Sequence, residues 1–385
     1  MKYLFCDFYE DFKCIGDKCP STCCAGGWGI IIDKDTKKEY DSIEGAFGQT
    51  LKRNIQTTDD SNYIFSLTRD GRCPFLTSEN LCEIYQKLGP DKLCATCQEY
   101  PRIIVNHEDI CFCTLTLSCP EVSRILLTRT SPISFFFEED RFSDNAEHLT
   151  ATDWDWFNNV MSCFTFSIDL LQNRTYSLST RLRLLLIFTG TLQTLIDNNE
   201  DIAPLIETFS SPNTLRVQAE SLSALPSNIP SIFSAFLHFY QHTKKIRNIP
   251  TFIALAKAME DFINSYKGEE LISYTVSAFH LLSDPTHDIH YERLCVYFLF
   301  RYYFRSYDSK NPLEEVAQLI YLLLIYRCYA LPFCSESKGI STEKQIELFS
   351  SISRIFDHNT ENLDMVSSYF KKDGQTDISF LLALI

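Results

Sequence analysis

Phe12-Lys-Cys14-Ile-Gly-Asp-Lys-Cys19-Pro-Ser-Thr-Cys23-Cys24 packs four thiols into one short stretch. Around it the chain holds 16 cysteines in 385 residues. Twelve fall within the first 119: Cys6, Cys14, Cys19, Cys23, Cys24, Cys73, Cys82, Cys94, Cys97, Cys111, Cys113 and Cys119. The rest of the chain has only Cys163, Cys295, Cys328 and Cys334. This divides the protein into a Cys-dense head, about residues 1–130, and a Cys-poor body, about residues 145–385. Disulfides would need an oxidising compartment. The opening MKYLFCDFYEDFKC does not read as a secretory signal, because Asp7, Glu10 and Asp11 interrupt its short apolar run. Single buried thiols are ordinary, but they do not account for the adjacent pair Cys23-Cys24 preceded by Cys14 and Cys19. Ligation of a metal or cluster needs several thiolates converging on one point and suits a reducing interior. It is the preferred reading.

Composition narrows the function classes. Apolar residues make up 45% and charged residues 22%, and 30 Phe and 19 Tyr supply core bulk, so a globular fold is expected. Lys+Arg is 35 against 50 Asp+Glu, a formal charge of −15. Proteins that neutralise phosphates need a basic face, so neither nucleic acid nor an anionic membrane is expected as a partner. An acidic surface suits a cationic substrate such as exposed lysines. No run reaches the ~18 apolar residues of a membrane helix; the best, Leu319 to Tyr326, ends at Arg327. A soluble cytoplasmic protein is expected.

The fold class expected is mainly α: a Cys-rich N-terminal α+β head that binds a metal or cluster, followed by an all-α helical domain. In the head, Trp28 to Asp33 reads as a strand after the Gly26-Gly27 turn, and Asp33 to Thr36 as a helix start. Asp70-Gly71 marks a turn. Asn80 to Gly89 is a strand or short helix closed by Gly89, and a hairpin is possible within 103–118. Past a boundary between Thr130 and Asn145 the pattern becomes helical: Phe157, Val160, Met161, Phe164, Ile168 and Leu171 recur at three and four. Similar faces lie at 180–196, 230–241, 251–266, 290–305, 312–330 and 342–357. Asn311, Pro312 and Glu314 form a helix start, and Thr342 with Gln345 a capping box. Ser211-Pro-Asn213 and Asp284-Pro285 read as loops. Seven to nine packed helices are expected, with Tyr297, Phe298, Phe300, Tyr302 and Tyr303 in the core.

Spacing alone leaves zinc and iron–sulfur both open, since Cys19-x3-Cys23 and Cys94-x2-Cys97 suit either. The pattern of a radical enzyme of the S-adenosylmethionine (SAM) type is missing, because position 26 is Gly. However, six short motifs occur in order: Phe12-Lys-Cys14; Cys19-Pro-Ser-Thr-Cys23-Cys24; Cys73-Pro-Phe-Leu76; Leu81-Cys-Glu-Ile-Tyr85 with Leu88-Gly89; Thr96-Cys-Gln-Glu-Tyr-Pro-Arg102; and Leu117-Ser-Cys-Pro-Glu121. This series resembles the flagellin lysine-N-methylase family and the wider CxxCxxCC zinc- or iron-chelating proteins. It covers about residues 12–125.

The resemblance implies a SAM-dependent methyltransferase acting on flagellin lysines, with a [4Fe-4S] cluster in the head. It points to Cys14, Cys19, Cys23, Cys24, Cys73, Cys82, Cys97 and Cys119 as metal-site thiols. Cys19, Cys23, Cys24 and Cys97 are favoured as direct ligands, and the surplus is either buried support or a second metal. Methylation needs the lysine ammonium stripped of a proton and aligned with the methyl group. Tyr100, Glu99 and Glu121 are the catalytic candidates, each with a plain packing or surface role as the alternative. Arg102 is a candidate grip on the SAM carboxylate, or a structural ion-pair partner. Gly26, Gly27 and Trp28 form a turn whose backbone can approach a ligand, or that only reverses the chain. The other classes open are a zinc-binding helical interaction protein without catalytic activity and an iron–sulfur redox protein.

Overall fold

The computed structural model describes residues 2–107, 110–139, 153–243, 250–335, 339–371 and 376–385. The sequence boundary at 130–145 therefore falls partly outside the described residues. The head carries β1 (Lys2–Cys6), β2 (Ile31–Ile32), α1 (Lys34–Ser42), α2 (Gly45–Arg53), β3 (Ile55–Thr57), β4 (Tyr63–Phe65), α3 (Glu83–Leu88) and α4 (Ala95–Glu99). It continues through β5 (Arg102–His107), β6 (Ile110–Leu115), α5 (Pro120–Thr128) and β7 (Phe135–Glu139). The body is helical: α6 (Trp154–Gln172), α7 (Leu178–Asp197), α8 (Ala203–Ser210), α9 (Pro212–Ser223), α10 (Ile229–His242), α11 (Pro250–Ser265) and α12 (Glu269–Leu281). Then follow α13 (Pro285–Tyr302), α14 (Arg305–Ser309), α15 (Pro312–Ala330), α16 (Thr342–Phe356), α17 (Thr360–Phe370) and α18 (Ile378–Leu384).

The molecule is mainly helical, as the sequence predicts, and among the described residues all seven strands precede α6. From α6 to α18 the described residues hold thirteen helices, more than the seven to nine expected. The excess comes from sharp breaks between short helices. Ser211 ends α8 and begins α9, with Pro212 in the first turn. Asp284 caps α13, accepting from Thr286 N at 2.8 Å and His287 N at 2.9 Å. Both Pro-containing segments, expected as loops, start helices, because a proline in the first turn forfeits no helical hydrogen bond. The Asn311 cap forms as expected, accepting from Glu314 N at 3.1 Å. The cap of α16 is Ser341 rather than Thr342. Gln345 points into the core, its Oε1 2.7 Å from His290 Nδ1, and so does not fold back to close a capping box.

Two hydrophobic cores result. The larger is built round α15, which is buried on almost every side and packs against α7, α13 and α17. A helix apolar all round belongs in an interior. The segment Pro312–Phe333 has the length and composition to cross a membrane, yet 83% of its apolar window is buried within the fold. The same core takes in a mixed four-stranded sheet of order β5-β6-β1-β7, with β1 parallel to β6 and β5–β6 forming the expected hairpin. Phe112 on β6 meets Phe304 with ring centroids 4.2 Å apart, and Phe135 on β7 meets Phe300 at 4.5 Å. The smaller core gathers Ile32, Tyr40, Leu51, Phe65, Phe75 and Ile84 beneath the antiparallel sheet β2-β4-β3.

In the smaller core the close approach of α1 and α2 depends on Gly48. A Cβ there would lie 2.0 Å from the Ile43 carbonyl oxygen. Alanine ordinarily stabilises a helix interior relative to glycine by about 1 kcal/mol. Here Gly48→Ala is expected to reverse that sign and destabilise the head by about 1–3 kcal/mol, as overpacked sites do. A denaturant midpoint equal to or above that of the parent chain would contradict it.

Candidate functional site

Where the two cores meet, a cavity of about 660 Å³ opens. Cys14, Cys19, Cys23, Cys24, Cys82, Cys97 and Cys119 line it, with Trp28, Tyr100, Arg102, Glu121 and Arg354. Segments far apart in sequence deliver these thiols. A short 3₁₀ turn over Cys23–Ala25 presents the adjacent pair, with Thr22 Oγ1 accepting from Cys24 N at 3.3 Å. Cys73 lies behind it, buried in the smaller core, and its N–H donates to the Cys24 carbonyl at 2.7 Å. Cys82 and Leu76 pair as an isolated bridge just before α3.

Cys97 sits in α4, whose start is fixed by α1. Asp33 caps α1 through Thr36 N at 2.9 Å and also accepts from Ala95 N at 3.0 Å. Thr96 Oγ1 donates to the Ile31 carbonyl at 2.8 Å. Burial works against the Asp33 carboxylate, but these donors outweigh it and hold its pKa at about 2. A carboxyl depressed on folding contributes stability above its unfolded value, near 3.9, and loses it as pH falls toward 2. Asp33→Asn is therefore expected to flatten the stability profile between about pH 4 and 2. An unchanged acid limb in a urea-midpoint series would refute this.

All sixteen cysteines are free thiols. The Cys24 thiol receives a hydrogen bond from Cys23, which lowers its pKa to about 7 and leaves Cys23 raised and protonated. Cys94 and Cys97 form a second such pair, in which the hydrogen bond lowers Cys94 and raises Cys97. Burial raises Cys19, Cys82, Cys73 (to about 12) and Cys119 (to about 11). Cys94, outside the expected pattern, thus stands directly beside Cys97. Cys6, Cys111 and Cys113 are buried in the larger core with the sheet. Among the described residues, no three His, Cys, Asp or Glu side chains are grouped to hold one metal ion.

The other expected site residues divide. Tyr100, Arg102, Glu121 and Trp28 face the cavity. Glu99 is exposed at the end of α4 and is not among the lining residues. Glu121 is clamped by Arg124, with Nε at 2.8 Å and an Nη at 2.6 Å. The Arg102 guanidinium lies over the rings of Tyr9 and Phe12, 5.7 and 5.5 Å from their centroids. Gly26 and Gly27 do not line the cavity; a Cβ on Gly26 would come within 2.9 Å of the Trp28 ring, and Gly27 has φ +78°. Their turn is a packing requirement of Trp28.

Sequence reasoning missed the residues that the body contributes. Packing of α5 on α16 brings Arg354 and His358 to the cavity region. Arg354 donates to Ser21 Oγ at 2.6 Å, the Ser21 carbonyl at 2.5 Å and the Ser118 carbonyl at 3.0 Å. Its guanidinium carbon lies 5.6 Å from the Trp28 ring centroid. Arg354→Ala is expected to cost about 2–4 kcal/mol, since a bond to a charged group contributes roughly 1.5–3 and neighbouring bonds do not add fully. Hydrogen exchange of residues 19–24 should accelerate before that of α15; equal protection in variant and parent would refute it.

A polar chain runs behind Tyr100. Its hydroxyl is 3.0 Å from Ser118 Oγ, and Ser118 Oγ is 2.7 Å from His358 Nε2. Thr116 Oγ1 donates to Asp357 at 3.1 Å, and Tyr297, Tyr302 and Ser353 donate to the same carboxylate at 2.5, 3.0 and 2.6 Å. Burial of the His358 ring lowers its pKa; Asp357 opposes this, and Arg301 and Arg354 add to it.

The model of the FliB lysine N-methylase C-terminal domain matches residues 165–384. The chain is 34% identical over 128 residues to the flagellar biosynthetic protein FliU of Salmonella muenchen, covering 31% of this chain and 73% of that one. At the same identity and length it matches lysine-N-methylases of Salmonella choleraesuis and Salmonella typhimurium, covering 31% of each. No solved structure matches it. With more than half its length matched by that model, the chain belongs to the FliB lysine N-methylase family.

Proposed function

We propose that this protein is a SAM-dependent protein-lysine N-methyltransferase that acts on flagellin in the cytoplasm, with a [4Fe-4S] cluster held by head thiols. The observation that carries the reading is a family match over the very body whose Arg354 helps close a cavity walled by seven thiols. The donor set fits the cluster in kind. Thiols in this number suit a cluster or zinc alike, and the family resemblance favours the cluster. Cys19, Cys23, Cys24 and Cys97 would hold it, with Cys14, Cys82 and Cys119 on the same wall and Cys73 behind. When bound, such a cluster supplies an iron able to take the amino and carboxylate groups of SAM.

The chain's own residues then orient the reactants. Arg102 has no hydrogen bond or ion pair through its guanidinium among the described residues, so it is available to a carboxylate. Glu121 is paired with Arg124, so of the three catalytic candidates Tyr100 is the one that faces the cavity without an ion-pair partner. Trp28 packs against Tyr100 and Arg354 and forms part of the cavity wall.

The test is direct. Protein purified without oxygen should be brown, carry about four irons per chain, and transfer labelled methyl groups from SAM to flagellin lysines. A colourless protein holding zinc, with no label transferred, would establish the alternative, a zinc-binding helical interaction protein.

A further inference from the structure

A lysine side chain enters at neutral pH as an ammonium, whose nitrogen has no lone pair to attack a methyl carbon. Some group must remove a proton inside the cavity and deliver it to water. Glu99 lies away from the cavity and Glu121 is held by Arg124. Tyr100 alone among the three candidates both faces the cavity and connects onward.

We propose that Tyr100, Ser118 and His358 form a proton relay from the cavity to the protein surface. The inference rests on the lysine-methylation reading and extends it to residues on both sides of the head–body seam. The links are 3.0 Å from Tyr100 Oη to Ser118 Oγ and 2.7 Å from there to His358 Nε2, both hydrogen-bond lengths. Ser118 is fully buried, so water does not intercept the middle of the chain. His358 is exposed as a residue, while its ring packs on Trp28 and Tyr100 with centroids 5.3 and 6.2 Å away. One end of the chain opens on the cavity, and the other ends at a residue exposed on the protein surface.

Thr116 gives its hydroxyl proton to Asp357, so its oxygen can only accept in the 3.0 Å contact with Ser118. Thr116 and His358 are therefore both acceptors within reach of the Ser118 proton, and the relay uses the bond to His358, with Ser118 accepting from Tyr100. A neutral imidazole accepting at Nε2 carries its proton on Nδ1. The ammonium passes one proton to the Tyr100 oxygen as the Tyr100 proton moves to Ser118 and the Ser118 proton to His358. The imidazolium formed gives up its extra proton to water. The freed nitrogen pair forms the N–C bond to the methyl of the sulfonium donor, while the C–S pair withdraws onto sulfur. Charge and protons balance without an oxidant or reductant. Ser118 and His358 act through Tyr100 and do not touch the substrate.

Two measurements test the relay. In the methyl-transfer assay, His358→Asn is expected to lower kcat about 100-fold with KM changed less than twofold, and added imidazole should restore part of the rate at the exposed position. Full activity in the variant, or a loss that imidazole does not touch, overturns the proposal. The second needs no turnover. In ¹⁵N-histidine spectra of the full chain, the resonance lost in His358→Asn should be an Nδ1–H tautomer and should change in Ser118→Ala. An Nε2–H tautomer in the parent overturns the relay whether or not lysine is methylated. Absence of methyl transfer by the parent itself would instead strike the functional reading.

Discussion

Replacing Glu292 by alanine is expected to destabilise the protein by about 3–5 kcal/mol, the range for breaking a buried ion pair from one side. Glu292 is fully buried in α13. Its carboxylate accepts from Arg174 at 2.8–3.1 Å and from Arg181 at 2.6 Å, and the Arg181 side chain is only 4% exposed. Alanine would leave the Arg181 charge in the interior with the Leu171 carbonyl as its remaining partner. The cost is therefore mostly the stranded cation rather than the lost attraction. Two consequences separate this from a generic core defect. Glu292→Gln should be milder, since an amide oxygen still accepts. The double variant Glu292→Ala with Arg181→Met should recover part of the loss, because no unpaired charge stays buried. A double variant as unstable as the sum of the singles would overturn the account.

The second large effect is on metal content. If the head holds the proposed cluster, Cys23→Ser or Cys24→Ser should lose metal and destabilise the head, because ligation energy is folding energy. The pair is a better target than any single thiol elsewhere. Cys24 is the acidified member and Cys23 its proton donor, so together they offer the most easily formed thiolate facing the cavity. Cys328→Ala is the control: its thiol is fully buried in α15, among body helices. Iron and zinc measured on each purified variant decide the matter. Full metal in either Ser variant removes that thiol from the ligand set, and loss of metal in Cys328→Ala would mean that the body supplies a ligand.

What the sequence could disclose follows from range. Caps and turns are local, so Asp33, Asn311 and Gly89 were readable, with Gly89 closing α3 at φ +92°. The stripe from Phe157 to Leu171 was readable because α6 buries one face. Helix count was not, since Ser211 serves two helices and nothing in Ser-Pro-Asn separates a loop from a helix start. The sheet was half legible: β5–β6 is a hairpin, but β1 pairs with β6 and β7 with β1, each across more than a hundred residues. At the site, cysteine density marked one wall. Arg354 sits in the last turn of an ordinary amphipathic helix and His358 in the turn just after it, and only the packing of α16 on α5 gives them a role. Their partners Ser21 and Ser118 lie more than 200 positions upstream, where residue type alone carries no signal.

The larger core joins Phe112 and Phe135 of the strands to Phe300 and Phe304 of the helices. Kinship and cooperativity therefore have different borders in this chain: the family match begins at 165, in the middle of α6, whereas β1, β6 and α5 share the interior with the helices that follow. Cutting at the kinship border would bare aromatic rings on both fragments. Any rearrangement that kept only the matched part would have to supply a substitute for the strands.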